Sequence, residues 1–407
     1  MIKTLLSPRT SGTVKAINSK SEAHRLLICA SLGDKKTTVE CENVNRDILA
    51  TAECLRALGS DITYENGVFT VTPISTPVFS PRLLCDESGS TLRFLIPLCA
   101  YFGNDSVFET KGRLSERPLS PLKEELEKGG TAIEIEGKDI KLCGKCNKTE
   151  FSIAGNVSSQ FISGLMFMLT RTGGTINITE KTESLPYIEM TADALSLFGC
   201  DVALTENKVV IPKTAPLISP ERVKSFGDWS NAAFFITAGV IGKEKITVKG
   251  LDMNSRQGDK KIVSILKSLG ARIETDADSV SAYPSRLYAL DIDAGDIPDL
   301  VPVLSVAAAN AKGTTRIYNC SRLRLKESDR IETVINMINA LGGTIYEEND
   351  ELFITGSPLP GGTVDSANDH RIAMSAATAA FSAEGKVEII NAEAVNKSYP
   401  SFWDEIQ

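Results

Sequence analysis

The chain has 407 residues, 42% of them hydrophobic and 24% charged, with a formal net charge of −8. That length and composition fit a globular protein with two full cores and exclude disordered and fibrous classes. The acidic balance argues against a general binder of nucleic acid or anionic membrane, so any anionic ligand must be met by a local cluster of Lys and Arg.

The opening MIKTLLSPRTSGTVK has no apolar stretch of signal-peptide length, and no segment reaches membrane-spanning length, so a cytoplasmic protein is expected. The nine cysteines are an odd number scattered through apolar segments such as LLICASLG and IPLCAYFG, as buried reduced thiols are. Cys143 and Cys146 form a lone CxxC, and two histidines leave few partners for a four-ligand zinc site. The pair reads as chance in a surface loop.

In chain order, the first predicted helix opens at SKSEAHRLLICASLG, with Lys20, Ser21, His24 and Arg25 ahead of an apolar run. A second helix, ILATAECLRALG, stops at Gly59 and gives way to the alternation of SDITY. The pattern then recurs. ESGSTLRFLIPL brings Arg93, KGRLSERP adds Arg113 and Arg117, and SPLKEELEKGG stops at Gly129 before TAIEIEG. NVSSQFISGLMFML brings Ser158, Ser159 and Gln160, and EMTADALSLFG stops at Gly199 before CDVALTENKVVI. GDWSNAAFFITAG is followed by KKIVSILKSLG, stopping at Gly270 before ARIETDADSV. Asp299 sits in GDIPDL where IPDLVPVLSVAAAN begins, RLRLKESDR carries Lys326, Glu327 and Arg330, and ETVINMINALGG stops at Gly342. NDHRIAMSAATAA opens the last stretch with Asp369, His370 and Arg371, and Lys397 lies in NKSYP.

Starts and stops both recur about every 70 residues, which defines six units of two helices and several strands. The chain ends before a sixth stop glycine, so the N-terminal strand, residues 1 to about 15, is expected to complete the last unit. Two three-unit domains follow: 18–226, and 227–407 closed by 1–17. Each helix start presents unpartnered N–H groups with partial positive charge. One reading makes every start only a cap, since Ser, Asp and Asn are ordinary N-caps. The other adds the Lys, Arg and Ser side chains and finds a site for polyanionic small molecules between two domains. Asp299 and Glu327 either pair with neighbouring cations or act as general base and acid. Neither GxxxxGK[ST] nor GxGxxG occurs.

The segments SKSEAHR, ESGSTLRF, GRLSERP, SSQF, LPYIEMT, GDWSNAAFF, RLRLKESDRI, NDHRIAM and NKSYP, in this order over nearly the whole chain, resemble the 5-enolpyruvylshikimate-3-phosphate synthase family (3-phosphoshikimate 1-carboxyvinyltransferases). The resemblance implies an α/β (α+β) fold, a two-domain inside-out α/β barrel of six βαβαββ repeats. It also implies transfer of the enolpyruvyl group of phosphoenolpyruvate to the 5-hydroxyl of shikimate 3-phosphate, in the shikimate pathway to chorismate and the aromatic amino acids. By analogy, Lys20, Ser21, Arg25, Ser158, Ser159, Gln160, Ser184, Asp299 and Lys326 hold shikimate 3-phosphate. Phosphoenolpyruvate meets Lys20, Gly89, Arg117, Gln160, Arg330, Arg371 and Lys397. Asp299 is expected as base and Glu327 as the acid for C3, with Lys20 the other proton donor considered. Arg93, Asp369 and His370 support the site, His370 by orienting its helix start or hydrogen-bonding Glu327 or phosphate. His24 is expected as an ordinary first-turn residue. No cofactor or metal is required, no nucleic-acid or membrane partner is expected, and a monomer is.

Three residues depart from the family pattern: Glu87 and Ser90 stand where Asn and Thr are common, and Arg322 where some members have a substrate-binding Asn. Gly89 is retained, as in members open to the inhibitor glyphosate, so inhibition is expected. The nearest rival, UDP-N-acetylglucosamine enolpyruvyl transferase, shares the fold but usually engages phosphoenolpyruvate with a loop cysteine; GRLSERP has none, and Cys85 precedes a helix start. A non-catalytic binder of phosphorylated metabolites would keep the arginines without needing Asp299 and Glu327 together. An RNA-end-processing enzyme is disfavoured by acidity and the lack of interleaved basic and aromatic residues.

Overall fold

The computed structural model describes residues 1–406. The chain forms two compact units: Asn18–Ser225, and Phe226–Gln407 together with Met1–Ile17.

In the unit Asn18–Ser225, three helices are buried around almost their whole circumference: α1 (Lys20–Ser31), α3 (Gly89–Phe102) and α5 (Ser159–Leu169). Their apolar residues recur on every face, which only a fully enclosed helix tolerates. The helices α2 (Arg46–Ala57), α4 (Leu122–Glu127) and α6 (Leu185–Leu197) bury one side only. Four-stranded sheets pack on them, each with one parallel and two antiparallel pairings. In the second repeat, Arg82–Asp86 runs parallel to Val107–Thr110, which pairs antiparallel with Asp139–Cys143, in turn antiparallel to Ala132–Glu136. The helix–strand order is the βαβαββ of the expectation. Alternation places Phe108, Ile133, Ile140 and Leu142 in the core.

The other unit repeats this plan. Its enclosed helices are α7 (Trp229–Ile241), α9 (Val301–Ala309) and α11 (His370–Ala379), and its flanking helices are α8 (Ile262–Ser268) and α10 (Arg330–Ala340). In α10 the buried residues Arg330, Ile331, Val334, Met337 and Ile338 follow the helical period along one stripe.

Three details differ from the sequence reading. The stop residue of the second repeat is Gly130, not Gly129: Gly59, Gly130, Gly199, Gly270 and Gly342 have φ between +74° and +108°. Gly129 is a glycine for another reason, since a Cβ there would lie 2.2 Å from Cys146 Sγ. Cys146 is accordingly a buried core residue rather than part of a surface loop; only Cys143 is exposed. Second, the N-terminal stretch divides. Ile2–Leu5 pairs with Val387–Ile390, whereas Thr13–Lys15 runs parallel to Thr247–Lys249 in another sheet. Third, the strand before α7, Arg222–Lys224, lies beside Thr38–Glu40 in the sheet of the first repeat, so the strands ahead of α1 and α7 have exchanged sheets.

The packing of α3 on α5 sets a sharp local constraint, because a Cβ on Gly164 would lie 2.3 Å from Arg93 O. Gly164→Ala must separate two rigid buried helices, and overpacking of this kind costs about 1–3 kcal/mol. The urea midpoint should fall accordingly; an unchanged midpoint would contradict this contact.

Candidate active site

In the unit Asn18–Ser225, the enclosed helices begin with serine caps. Ser19, Ser88 and Ser158 accept from the backbone N–H of Glu22, Thr91 and Gln160. Lys20 Nζ donates to Asp47 Oδ2 at 2.9 Å. Arg25 is almost fully buried and spends its donors on Thr191 Oγ1 (2.8 Å), Ser21 O (2.5 Å) and Tyr187 O (2.7 Å), with its guanidinium 5.0 Å from the Phe94 ring centroid. Burial lowers its pKa to about 10. Gln160 links two helix starts: its Oε1 accepts from Arg93 Nη1 (3.0 Å) and its Nε2 donates to Ser90 Oγ (3.0 Å). Gly89 opens α3 where a side chain would collide; a Cβ would lie 2.8 Å from Arg93 Nη1 and 3.0 Å from Arg117 Nη1. The missing side chain lets two guanidinium groups close on the helix start. Ser184 is buried ahead of α6 in the left-handed conformation, φ +57°.

His24 is buried in α1, its Nδ1 2.6 Å from Thr51 Oγ1, and a chain of hydroxyls continues through Thr91 to Ser88. Burial lowers its pKa to about 3, against an upward pull from Asp47, so the ring is neutral. It fixes α1, α2 and α3 to one another and has no proton to offer near neutral pH.

The other unit holds the acids. Asp228 caps α7, Asp329 caps α10 and Asp369 caps α11. Among the enclosed helices of this unit the exception is α9, whose cap position is Leu300 with no side-chain bond. Asp299, one residue earlier, therefore keeps its carboxylate for other partners. Its Oδ1 accepts from Arg330 Nη1 (2.6 Å) with Lys326 Nζ at 3.6 Å, and its Oδ2 accepts from Arg371 Nη2 (2.8 Å). Burial alone would raise the Asp299 pKa, but Arg371, Lys326 and Arg330 outweigh it and hold the carboxyl well below the usual range.

Arg330 has 1% of its side chain exposed and donates to Asp369 Oδ2 (2.9 Å) and Glu327 Oε2 (2.7 Å) as well. Lys326 is drawn the other way: burial lowers its pKa to about 8, against Asp299. His370 occupies the first turn of α11, its Nδ1 3.9 Å from Asp369 Oδ1. Lys397 is buried at the end of the short 3₁₀ helix Ala392–Lys397.

The structure thus gathers Lys20, Ser21, Arg25, Gly89, Arg93, Arg117, Ser158, Ser159, Gln160 and Ser184 in one unit. Asp299, Lys326, Glu327, Arg330, Asp369, His370, Arg371 and Lys397 fall in the other. Sequence reasoning missed Asp47, Thr191 and Tyr187, the partners of Lys20 and Arg25, and Asp259 beneath Ser230. LPYIEMT held two of these in view; the pairing of Arg25 with Thr191 spans 166 residues and leaves no local trace.

A family model described as EPSP synthase (3-phosphoshikimate 1-carboxyvinyltransferase) matches residues 7–406. The chain is 39% identical to the 3-phosphoshikimate 1-carboxyvinyltransferase of Clostridium perfringens, covering 100% of this chain and 98% of the relative. It is 40% identical to that of Clostridium acetobutylicum, covering 97% and 94%. A solved structure of EPSP synthase from Acinetobacter baumannii aligns with a TM-score of 0.81 at 25% identity, over 99% of this chain and 96% of that one. The enolpyruvyl transferase NikO from Streptomyces tendae shares the fold, with a TM-score of 0.79 at 19% identity. That fold is the two-domain inside-out α/β barrel.

Removing Arg330 would leave Asp369, Glu327 and Asp299 without their shared cation. Stripping one partner from a buried ion cluster costs about 3–5 kcal/mol. Arg330→Met should therefore unfold at markedly lower guanidinium concentration than the wild type; a loss under about 1 kcal/mol, the range of exposed pairs, would contradict this account.

Proposed function

The chain belongs to the EPSP synthase (3-phosphoshikimate 1-carboxyvinyltransferase) family, and on that premise we propose that it moves the enolpyruvyl group of phosphoenolpyruvate onto the 5-hydroxyl of shikimate 3-phosphate, releasing phosphate. We assign shikimate 3-phosphate to Lys20, Ser21, Arg25, Ser158, Ser159, Gln160 and Ser184, with Asp299 and Lys326 reaching its hydroxyls. Phosphoenolpyruvate falls to Lys20, Gly89, Arg117, Gln160, Arg330, Arg371 and Lys397. The enzyme acts as a monomer in the cytoplasm. The observation that carries this reading is the carboxylate of Asp299, gripped by Arg330, Arg371 and Lys326, with Glu327 on the same arginine.

The grip bears on the chemistry. A carboxylate receiving two guanidinium donors is a weak base. An arriving substrate carboxylate competes for Arg330 and Arg371, which returns basicity to Asp299 when phosphoenolpyruvate is in place. Asp299 then takes the 5-hydroxyl proton as that oxygen attacks C2, and Glu327, which takes up a proton once the substrate carboxylate has drawn Arg330 from it, delivers that proton to C3. The tetrahedral adduct expels phosphate as C3 gives its proton back, restoring the double bond. Lys20, Arg117 and Lys397 offset the charge on the departing phosphate. The serine caps serve both earlier readings of the helix starts: each closes its helix and leaves further N–H groups for a ligand.

The rival sugar-nucleotide transferase is not favoured, since the family model and the curated relatives agree on the shikimate 3-phosphate enzyme. The direct test is phosphate release from phosphoenolpyruvate with and without shikimate 3-phosphate, with UDP-N-acetylglucosamine in parallel. Release should require shikimate 3-phosphate and fall at least about a hundredfold in Asp299→Ala, the usual loss for a general base. Turnover with the sugar nucleotide alone would replace this reading.

Lys326 supplies a pH test. Its folded pKa is lowered to about 8, so the cation is present below that value and lost above it. The kcat/KM for shikimate 3-phosphate should fall about tenfold per pH unit above about 8, as loss of one essential proton requires. Lys326→Arg should move that fall to higher pH. A profile flat through this window would remove Lys326 from the substrate site.

A further inference from the structure

Asp259 has no part in the reaction described above, yet it lies inside its charge cluster. The residue is 0% exposed, in the 3₁₀ turn Gly258–Lys261. Its Oδ2 accepts from Ser230 Oγ, in the first turn of α7. The direction of that bond follows from its neighbours. Gln257 Nε2 donates to Ser230 Oγ (2.8 Å) and to Asp228 Oδ1 (3.1 Å), and Gln257 Oε1 accepts from Trp229 N (3.1 Å). With its oxygen already receiving a bond, Ser230 has its single hydroxyl proton to give to Asp259. The other carboxyl oxygen, Oδ1, is buried with no hydrogen-bond partner among the described residues.

Arg371 shows the complementary lack. Its Nη2 is bonded to Asp299, while Nε and Nη1 are buried with no hydrogen-bond partner among the described residues. Asp259 and Arg371 act on each other electrostatically, as do Asp259 and Asp299. Around this centre stand five carboxyls, Asp228, Asp259, Asp299, Glu327 and Asp369, against the cations Lys326, Arg330 and Arg371, with Arg322 acting on Lys326 and His370 on Asp369 at its margin. The cations are taken: Arg330 by Asp299, Glu327 and Asp369, and Arg371 and Lys326 by Asp299. The lysines beside Asp259 face elsewhere, Lys261 to Asp296 and Lys260 to Met253 O. A buried carboxylate with one hydrogen bond and no ion-pair partner is the costliest member of such a set, and therefore the one that keeps a proton.

We propose that Asp259 is a positioning residue for Arg371: protonated, it leaves the full charge of Arg371 to the carboxylate of phosphoenolpyruvate; ionised, it competes for that charge and weakens substrate binding. This inference rests on the assignment of Arg371 to phosphoenolpyruvate. Burial, then the field of Asp299, push Asp259 up to about 7, with Arg371 and the Ser230 bond pulling down and Asp228 adding to the rise. The sign follows: below about 7 the residue is neutral, and above it an added negative charge sits behind the substrate's arginine.

The test is KM for phosphoenolpyruvate, at saturating shikimate 3-phosphate, across a range spanning about 7 in wild type, Asp259→Asn and Ser230→Ala. Asparagine copies the neutral acid, and it controls for titration of the substrate phosphate, which all variants share. Wild-type KM should rise about five- to tenfold over the asparagine variant between roughly pH 6 and pH 8, with kcat within about twofold. KM for shikimate 3-phosphate should be the same in wild type and Asp259→Asn at each pH. Ser230→Ala removes a bond that favours the anion, so its inflection should move to higher pH; an unmoved inflection would overturn the proposal even if Asp259→Asn failed to fold. Parallel KM profiles in wild type and Asp259→Asn would overturn it as well. Infrared difference spectra of the ligand-free protein, wild type against Asp259→Asn, read the proton without turnover. A carboxylic-acid carbonyl band that is present below about 7, lost above it and missing in the variant is expected; its absence from wild type would refute the proposal. Failure of wild type to use shikimate 3-phosphate would instead strike the reaction assignment, leaving the infrared result to judge Asp259.

Discussion

A guanidinium with 1% of its side chain exposed constrains everything around it. Arg330 lies at the first position of α10 and can remain charged there only because carboxylates from three other segments reach it: Asp299 before α9, Glu327 from the preceding loop and Asp369 at the cap of α11. Four pieces of chain are thereby held in one arrangement by charge rather than by apolar packing. The enclosed helices supply the rigid frame. Helices α9 and α11 bury every residue, so their starts cannot drift without breaking the core.

Most of the helix starts are closed by their own side chains, and the fifth repeat is the exception with consequences. Ser19, Ser88, Ser158, Asp228 and Asp369 are committed to backbone N–H groups. At α9 the cap position falls to Leu300, and the acid one step earlier turns to Arg330, Arg371 and Lys326 instead. A single shift of register frees the acid from capping and turns it to cationic partners. Of the two sequence readings of Asp299, the structure displays the ion-pair partner, and the base is the role proposed for it.

The sequence carried the architecture because two local signals are strong. A residue just past a helix must adopt positive φ, which glycine does without strain, and the five stop glycines show that geometry. Enclosed helices must be apolar on all faces, so α7, α9 and α5 announce themselves. Gly129 misled because two adjacent glycines there do different jobs, one turning the chain and the other admitting Cys146. The exchange of strands ahead of α1 and α7 was invisible, since a three-residue strand does not encode which sheet it joins. Resemblance to a family supplied the expected site residues. It could not supply their supports. Asp47, Thr191 and Tyr187 meet Lys20 and Arg25 through space, and ordinary residue types at ordinary helical positions give no sign of it.

Asp259 shows where such hidden supports are to be found. Nothing in QGDKK marks it, and its significance arises only from counting which buried donors and acceptors have partners. Arg371 keeps two unmatched donors and Asp259 one unmatched acceptor in the same cluster, and buried groups so left cost about 1–3 kcal/mol each. A fold stable enough to carry that cost holds its arginine ready for a ligand with a carboxylate to offer. Burial and the field of Asp299 keep a proton on Asp259 against the pull of that arginine, and an anion in its place would satisfy the arginine and leave the substrate less to bind.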